Sequence, residues 1–308
     1  PRSNNVQPPC MPPAAQALTY RPLVGILFMC LAHTLFPVMN GLAQLLTERY
    51  SPEQIVWART GSHLLFVLAL FAPKHGARIL ITNRPGLQIA RSVLMLVTTT
   101  LFFTGLAFLP LAKGAAISFA GPFFIVLLAW PMLGEPISGH RLAAVIAAFV
   151  GVLIVVRPGT ELFHWASLLI LGSAVTYAFE QIYRRRVAAF DRPETSVVYT
   201  PLVGTIVLSG IVAFNWTTPQ SWGDIALFLL LGVLGGLGHY CGAKSMTYAP
   251  ANLVAPFMYM QMVWSVIVGY LFKDTWPDWG TWLGSAIIIG AGLFIGIREA
   301  RGNNQLHT

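Results

Sequence analysis

The amino-acid sequence predicts an all-α membrane protein with ten transmembrane helices arranged as two inverted five-helix repeats. Three observations carry this prediction: the composition, the spacing of the charges and a weak internal repeat. Of the 308 residues, 56% are hydrophobic and only 10% are charged, whereas soluble domains carry about 25% charged residues. The composition therefore places the chain in the membrane class before any motif is considered.

Charge-free stretches define the predicted spans. A spanning helix needs about 20 mostly apolar residues, and eight stretches without Lys, Arg, Asp or Glu qualify. They cover residues 22–47, 92–112, 114–134, 162–179, 195–223, 225–243, 245–272 and 279–297. Two shorter apolar stretches become long enough when flanking residues are added, and they give helices two and five at 52–72 and 138–157. Residues 1–20, rich in proline and polar residues, are predicted to be a disordered tail.

The distribution of basic residues predicts the orientation. With a cytoplasmic N-terminus, the inner segments hold 14 Lys and Arg residues and the outer segments hold four. The four outer cations are Arg49, Lys113, Arg157 and Lys273. By the positive-inside rule both termini are then cytoplasmic, and we expect a multi-pass protein of a bacterial inner membrane. A nucleic-acid partner is not expected, because the sequence offers no soluble basic patch.

The two halves of the chain resemble each other. LGEPISGHRLAAVIAAFVG (133–151) aligns with FKDTWPDWGTWLGSAIIIG (272–290) at an offset of 139 residues. The repeats are predicted at 21–157 and 158–300, which leaves 301–308 as a C-terminal tail. Because five crossings per repeat is an odd number, the second repeat enters the membrane from the opposite side. Inverted repeats are typical of secondary transporters, which bind substrate near the midplane between the repeats.

Two segments carry a family resemblance. GLAFLPLAKGAAISFAGPFFIVLLAWPMLGE (105–135) resembles the first EamA domain of the drug/metabolite transporter superfamily, and YAPANLVAPFMYMQMVWSVIVGYLFKDTWPDW (248–279) resembles the second. The resemblance implies a ten-helix carrier of small metabolites, with amino-acid exporters prominent in the family. It also implies that helices three, four, eight and nine, with one and six, line a central cavity.

One departure from the family pattern concerns energy coupling. Many relatives carry Glu after Pro-Phe in the second domain, where this chain has Met258. If that carboxylate couples protons in the relatives, its absence here argues against proton coupling and favours a facilitator, and the sequence leaves both modes of transport open.

Three prolines interrupt predicted helices. Pro122 follows Gly121 in helix four and cannot donate a hydrogen bond to the carbonyl of Ser118. Pro37 and Pro256 do the same in helices one and nine. Irregular backbone at membrane depth is tolerated where it faces protein or a wet cavity. We predict that Pro37, Gly121 and Pro256 act as kinks or gates on the transport path; packing kinks are the alternative.

Polar and aromatic residues at membrane depth are the candidate substrate contacts. His33 and Asn40 are seven residues apart and share one face of helix one. His239, near the middle of helix eight, is an intramembrane ionisable group. The full candidate set is His33, Asn40, Ser118, Phe119, Pro122, Phe123, Tyr177, His239, Tyr259, Gln261 and Trp264. Aromatic faces with a few polar groups suit a partly apolar small molecule, and helix–helix packing is the alternative for each residue.

Charged residues inside the spans receive structural interpretations. Arg59 and His63 are four apart on helix two and stack on one face. Arg59 is about two turns from the outer end, and we expect it to snorkel to the membrane surface. Glu180 and Arg184 are expected to form a local i,i+4 salt bridge.

The predicted function is a secondary transporter that exports small amphiphilic metabolites by alternating access, most specifically neutral or aromatic amino acids. The alternative is an exporter of drugs or organic cations. An intramembrane enzyme is a remote alternative, because no H-E-x-x-H, G-x-S-x-G or paired aspartate motif is found. The sequence calls for no metal and no cofactor, and a monomer suffices because one chain holds both repeats.

Overall fold

The chain folds into an all-helical bundle. The computed structural model describes residues 21–134, 138–191 and 193–304. The predicted tail at 1–20 lies outside the described residues, as does 305–308 of the predicted C-terminal tail. The helices are α1 (Pro22–Leu46), α2 (Pro52–His75), α3 (Pro85–Leu106), α4 (Leu111–Ser118), α5 (Gly121–Leu133), α6 (Gly139–Val156), α7 (Ala166–Val187), α8 (Pro193–Val212), α9 (Trp222–Tyr248), α10 (Ala251–Val254), α11 (Met260–Lys273) and α12 (Trp279–Asn304).

These helices make ten crossings. Eight segments of the described chain are long and apolar enough to span a membrane, with α4 and α5 counted together as Leu111–Leu133. The sixth crossing, α7, is 22 residues long and ends in three arginines. The ninth is interrupted, because α10, a 3-10 turn at Ala255–Tyr259 and α11 follow one another. The predicted ten-helix fold is confirmed.

The third crossing differs from its predicted bounds at both ends. It begins at Pro85 instead of residue 92, and it ends at Leu106 instead of residue 112. Arg91 ended the charge-free stretch in the sequence, but this arginine lies inside the helix and is buried. At the other end, Pro110 precedes α4, which starts a new helix at Leu111.

Helix packing follows the inverted repeat. If α1, α2, α3, α4–α5 and α6 correspond to α7, α8, α9, α10–α11 and α12, each major contact has its counterpart. The contact of α1 with α9 matches that of α7 with α3, and the contact of α2 with α9 matches that of α8 with α3. The pairs α2–α8, α4–α11 and α6–α12 map onto themselves. A pseudo-two-fold axis therefore relates the two halves.

Both halves carry a break in the corresponding helix. In the first repeat, Phe119 and Ala120 separate α4 from α5, and Pro122 lies in the first turn of α5. In the second repeat, the 3-10 turn at Ala255–Tyr259 contains Pro256. Paired interruptions of this kind mark the substrate path in inverted-repeat transporters. By contrast, α1 continues through Pro37 without interruption.

Different polar contacts connect the helices at the two ends of the bundle. We call the end where α1 begins the proximal end and the opposite one the distal end. At the distal end, Glu48 pairs with Lys273 at 2.6 Å and Arg157 pairs with Asp278 at 3.2 Å. At the proximal end, Asp191 accepts hydrogen bonds from the Thr82 hydroxyl, from the Asn83 backbone at 2.7 Å and from Gln88 at 3.0 Å. Burial alone raises the pKa of Asp191, but these hydrogen bonds outweigh burial and hold the pKa below its ordinary value.

A buried ion cluster lies next to this proximal network. The predicted pair is confirmed, with Arg184 3.1 Å from Glu180. A second partner, Arg91 of α3, approaches Glu180 at 3.0 Å, and the two side chains are 3% and 0% exposed. Arg91 also donates to the Ser196 carbonyl at 2.5 Å and to the Thr200 hydroxyl at 2.7 Å. The cluster thus joins α3, α7 and α8.

Candidate functional site

A cavity lies between the repeats, where α2 and α3 of the first repeat meet α8 and α9 of the second. It is a small, partly open cleft, in which the centres of water-sized spheres have about 30 Å³ of space, about enough for two water molecules. Its lining residues are Arg59, Thr60, His63, Met95, Leu96, Thr99, Thr200, Pro201, Gly204 and His239. Its position at the repeat interface is that of a transporter's substrate site.

Two histidine rings stack in this cavity. The rings of His63 on α2 and His239 on α9 lie 5.7 Å apart, centroid to centroid, with an interplanar angle of 7°. His63 is only 8% exposed, and its Nε2 atom has no hydrogen-bond partner. Of the eleven candidate binding residues from the sequence, His239 is the one that lines this cavity.

Arg59 is buried, so the expectation that it snorkels is wrong. It lies one turn before His63 and is 7% exposed. Its Nε atom donates to the sulfur of Met39 at 3.3 Å, and its guanidinium carbon lies 5.7 Å from the ring centre of Phe103. No carboxylate of the described residues pairs with it. The side chain points inward, because Met39 of α1, Phe103 of α3 and Gly235 of α9 surround its guanidinium.

A row of rings connects the cavity to α1. The Phe36 ring contacts His239 edge to face at 5.1 Å and His33 at 6.0 Å. His33 in turn lies 3.0 Å from the Gln261 side-chain oxygen through Nδ1. Two candidates, His33 and Gln261, are thus joined by a hydrogen bond between α1 and α11, next to the cavity. Asn40 is buried farther along α1.

Glycines of α9 permit this close packing. A Cβ atom on Gly236 would lie 2.5 Å from the Phe66 ring and 3.2 Å from His63. On Gly238 it would lie 2.8 Å from the Phe36 ring. Glycines in a membrane helix can serve close packing or hinge motion, and in this structure Gly236 and Gly238 make room for the aromatic rings.

Three other candidates, Phe119, Tyr177 and Tyr259, lie at or beside the broken helices. The Phe119 and Tyr259 rings are 5.3 Å apart, across the contact between the α4–α5 break and the 3-10 turn that holds Pro256. A Cβ atom on Gly121 would lie 3.0 Å from the Tyr177 ring of α7. These contacts join the two interrupted crossings to their neighbours.

Three further candidates have local environments that differ from a polar cavity. The Ser118 hydroxyl donates to the Gly114 carbonyl at 2.9 Å, within its own helix. Phe123 is buried in the apolar core against α6, one position after Pro122. Trp264 on α11 is half-buried. Whether any of these residues touches substrate stays a prediction.

Three threonines of the cavity were missed by sequence reasoning. Their hydroxyls donate to their own helices, from Thr60 to the Trp57 carbonyl and from Thr99 to the Met95 carbonyl. The Thr200 hydroxyl donates likewise to Ser196 and accepts from Arg91. Because each hydroxyl proton is engaged, the oxygens of Thr60 and Thr99 remain acceptors for a ligand. Membrane helices use threonine for interhelical contacts as well, so composition could not single these three out.

The arrangement as a whole is that of a transporter. Inverted five-helix repeats, a paired helix break and a polar, aromatic cavity at the repeat interface define a secondary transporter. Residues 23–157 and 164–297 each match the EamA-like transporter family. The chain therefore belongs to this family, within the drug/metabolite transporter superfamily, and the predicted resemblance is confirmed.

Three relatives illustrate the range of the family. The chain is 31% identical to a riboflavin transporter of Rhizobium johnstonii, over 91% of this chain and 93% of that protein. It is 29% identical to an S-adenosylmethionine uptake transporter of Rickettsia felis, over 78% and 82%. It is 26% identical to a pseudopaline exporter of Pseudomonas aeruginosa, over 87% and 94%. The family and these relatives are transporters, not enzymes, and the chain is a multi-pass membrane protein like them.

A solved crystal structure supports the fold independently. It superposes with a TM-score of 0.59 at 18% sequence identity and covers 91% of this chain and 97% of its own. At this identity the likeness concerns the fold alone.

Proposed function

We propose that the protein carries a planar heteroaromatic metabolite across a bacterial inner membrane by alternating access, with riboflavin as the first candidate. The observation that carries the proposal is the stacked pair of His63 and His239, extended by Phe36, at the repeat interface. Stacking on aromatic side chains recognises flat heteroaromatic rings. The riboflavin transporter of Rhizobium johnstonii, which matches nearly the whole chain, supports this substrate class.

The inverted repeat supplies the mechanism. Each repeat contributes two helices to the cavity, so a rocking motion of one repeat against the other exposes the cavity to one side and then to the other. The cavity is narrow for a molecule of flavin size, and we expect α2–α3 and α8–α9 to separate when substrate enters. The broken crossings α4–α5 and α10–α11 supply the flexible backbone for this motion.

Orientation and coupling complete the proposal. The positive-inside rule places the proximal end in the cytoplasm. Met258 packs into an apolar cluster with Met29 and Val254, and a methionine side chain has no ionisable group that could carry a proton. We therefore propose transport that is insensitive to a pH gradient. Export, the direction implied by the resemblance, stays a prediction, as does function as a monomer.

Riboflavin counterflow tests the proposal. Purified protein in liposomes loaded with unlabelled riboflavin is expected to accelerate uptake of radiolabelled riboflavin at least about tenfold over protein-free liposomes. His239→Ala is expected to lower this uptake about tenfold, because loss of one stacking ring costs about 1–3 kcal/mol. Gly242→Ala, on the same helix and with open space around its Cβ position, serves as the matched control and is expected to keep full uptake.

The result that would contradict the proposal is equally specific. Folded wild-type protein that gives no riboflavin counterflow, with or without a pH gradient, removes riboflavin as substrate. Equal uptake by His239→Ala and wild type would instead place the transport path away from the stacked histidines.

A second candidate is transport of a neutral or aromatic amino acid, as the sequence predicted. It is favoured by Arg59, a buried cation that could bind the substrate carboxylate. Phenylalanine counterflow in the same liposomes distinguishes it from riboflavin transport. The same arginine disfavours an organic-cation exporter, since the cavity lining holds a positive charge and no carboxylate.

A further inference from the structure

We infer that Arg59 and His63 form a subsite for a pair of oxygen acceptors on the transported molecule, supplied by a carboxylate or by the imide edge of a flavin. The inference rests on the proposed function, because it assumes that substrate passes through the cavity these residues line. It assigns the polar end of the site, whereas the stacked histidines account for the flat ring.

The guanidinium of Arg59 has unused hydrogen-bonding capacity. Arginine carries five N–H donors in a planar fork. One of them, on Nε, points to the Met39 sulfur, which is a weak acceptor. The described residues accept none of the four N–H groups on the two terminal nitrogens. These nitrogens are not among the fully buried side-chain atoms without a partner, and Arg59 lines the cavity, so their donors are accessible to a ligand there.

The charge of Arg59 is also uncompensated. The ion pairs of the described residues engage Arg49, Arg91, Arg157, Arg184 and Lys273, but not Arg59. The Phe103 ring gives only a weak cation–π contact at 5.7 Å. An ion at membrane depth without a partner is costly and marks a functional site. A ligand oxygen with a negative or partial negative charge would supply the counter-charge that Arg59 lacks.

His63 provides a second, independent observation. Its buried Nε2 atom has no partner in the structure, although buried polar atoms are normally paired. It follows Arg59 by one helical turn, so both side chains reach the cavity from the same face of α2. His63 in its Nε2–H tautomer would donate one hydrogen bond beside the guanidinium fork.

The packing of α2 against α9 holds the pair in place. The Ser62 hydroxyl lies 2.6 Å from the Ala58 carbonyl of its own helix and 3.1 Å from the Phe228 carbonyl of α9, so its one proton is shared between them. Gly232 lets the α9 backbone lie directly against Ser62 and His63. A fixed fork of donors matches a carboxylate, whose two oxygens accept in one plane. The imide edge of a flavin presents two carbonyl oxygens in one plane as well, without a formal charge.

Matched probes test the subsite. Benzoate and benzamide share a ring and differ in the charged oxygen pair, and their dissociation constants can be measured on the purified full chain by thermal shift. Wild type is expected to bind benzoate at least about tenfold more tightly than benzamide, since hydrogen bonds to charged groups contribute about 1.5–3 kcal/mol. Arg59→Gln is expected to abolish this preference, and Arg59→Lys to keep part of it.

The control variant separates the subsite from general charge effects. Arg78→Gln makes the same charge change at an exposed position in the proximal turn after α2. It is expected to leave both dissociation constants within about twofold of wild type. Riboflavin is measured in parallel, and an approximately tenfold loss of affinity in Arg59→Gln would identify the imide edge as the acceptor.

The outcomes separate this inference from the proposed function. A benzoate preference that survives in Arg59→Gln overturns the subsite even if riboflavin is transported. Equal binding of benzoate and benzamide to wild type overturns it when the riboflavin affinity of Arg59→Gln is also unchanged. An Arg59-dependent benzoate preference without riboflavin transport keeps the subsite, assigns it to a carboxylate and removes riboflavin. If Arg59→Gln does not fold, the comparison of benzoate with benzamide on wild type and the preference measured for Arg59→Lys still test the subsite.

Discussion

Replacing Gly232 by alanine is expected to prevent stable folding, whereas the same change at Gly242 on the same helix is expected to be tolerated. A Cβ atom on Gly232 would lie 2.0 Å from the Ser62 hydroxyl, 2.3 Å from the His63 backbone nitrogen and 2.5 Å from the Ser62 carbonyl carbon. Two of these three atoms belong to the backbone of α2, so no rotamer change relieves the overlap. Around Gly242 nothing lies within 4 Å.

The size of this effect follows from the main-chain contact. Overpacking usually costs about 1–3 kcal/mol when side chains can adjust, and we expect Gly232→Ala to reach or exceed the upper end. The thermal midpoint of purified protein measures the loss, and size-exclusion profiles report the folded fraction. A Gly232→Ala variant as stable as Gly242→Ala would show that α2 and α9 are farther apart than in this structure. The packing of α2 against α9 would then not hold Arg59 and His63 in the positions described above.

Glu180→Gln is expected to destabilise the protein by about 3–5 kcal/mol, because it leaves the buried Arg91 without its counter-charge. The two side chains are 3.0 Å apart and almost completely shielded from solvent. The neighbouring Arg184 pairs with the same carboxylate, so two cations lose one partner.

Glu48→Gln provides the control for this prediction. It makes the same chemical change in an ion pair of 2.6 Å at the distal end, where the Glu48 side chain is 59% exposed. Exposed pairs contribute about 0–1 kcal/mol, so little change is expected. Combining Glu180→Gln with Arg91→Met is expected to restore part of the stability, because no unpaired Arg91 charge remains. Equal thermal midpoints for Glu180→Gln and Glu48→Gln would contradict the buried cluster.

The number of crossings and the helix breaks were predictable because they depend on local chemistry. Length and polarity decide whether a segment can span a membrane, and Gly121-Pro122 cannot continue a helix without losing a hydrogen bond. The Glu180–Arg184 pair was predictable for the same reason, since its i,i+4 spacing is fixed by one helix.

Helix partners were not predictable, because they depend on surfaces that are far apart in sequence. Arg91 looked like a boundary charge until its partner Glu180, 89 residues away, was placed beside it. Arg59 looked like a snorkelling cation because the sequence does not show that α2 turns this face toward α9. The resemblance implied a cavity lined by helices one, three, four, six, eight and nine. The cavity of the structure shares only helices three and eight with that set and adds two and seven.

Small residues show the same limit within one pair of helices. The spacing of the small residues Ala147 and Gly151 in helix five, and of Ala286 and Gly290 in helix ten, favours a close contact of these two helices. Gly151 does lie against the second helix, since its Cβ position is 2.9 Å from the Gly284 carbonyl. Gly290, however, has nothing within 4 Å of its Cβ position. Spacing identified the face on α6, but the register against α12 came from the three-dimensional packing.

The central claim is that the cavity at the repeat interface is the transport path. Chemical modification of cysteines placed in and beside the cavity tests this claim most directly. Thr99→Cys places a thiol in the cavity lining, and Thr98→Cys places one at the neighbouring position, where Thr98 bonds Thr176 on α7. Both are made after Cys10, Cys30 and Cys241 have been changed to alanine. A small water-soluble methanethiosulfonate is expected to modify the thiol of Thr99→Cys and thereby to stop its riboflavin counterflow. Added riboflavin is expected to slow this modification, and Thr98→Cys is expected to keep its transport activity. Full transport by a completely modified Thr99→Cys variant would contradict a path through this cavity.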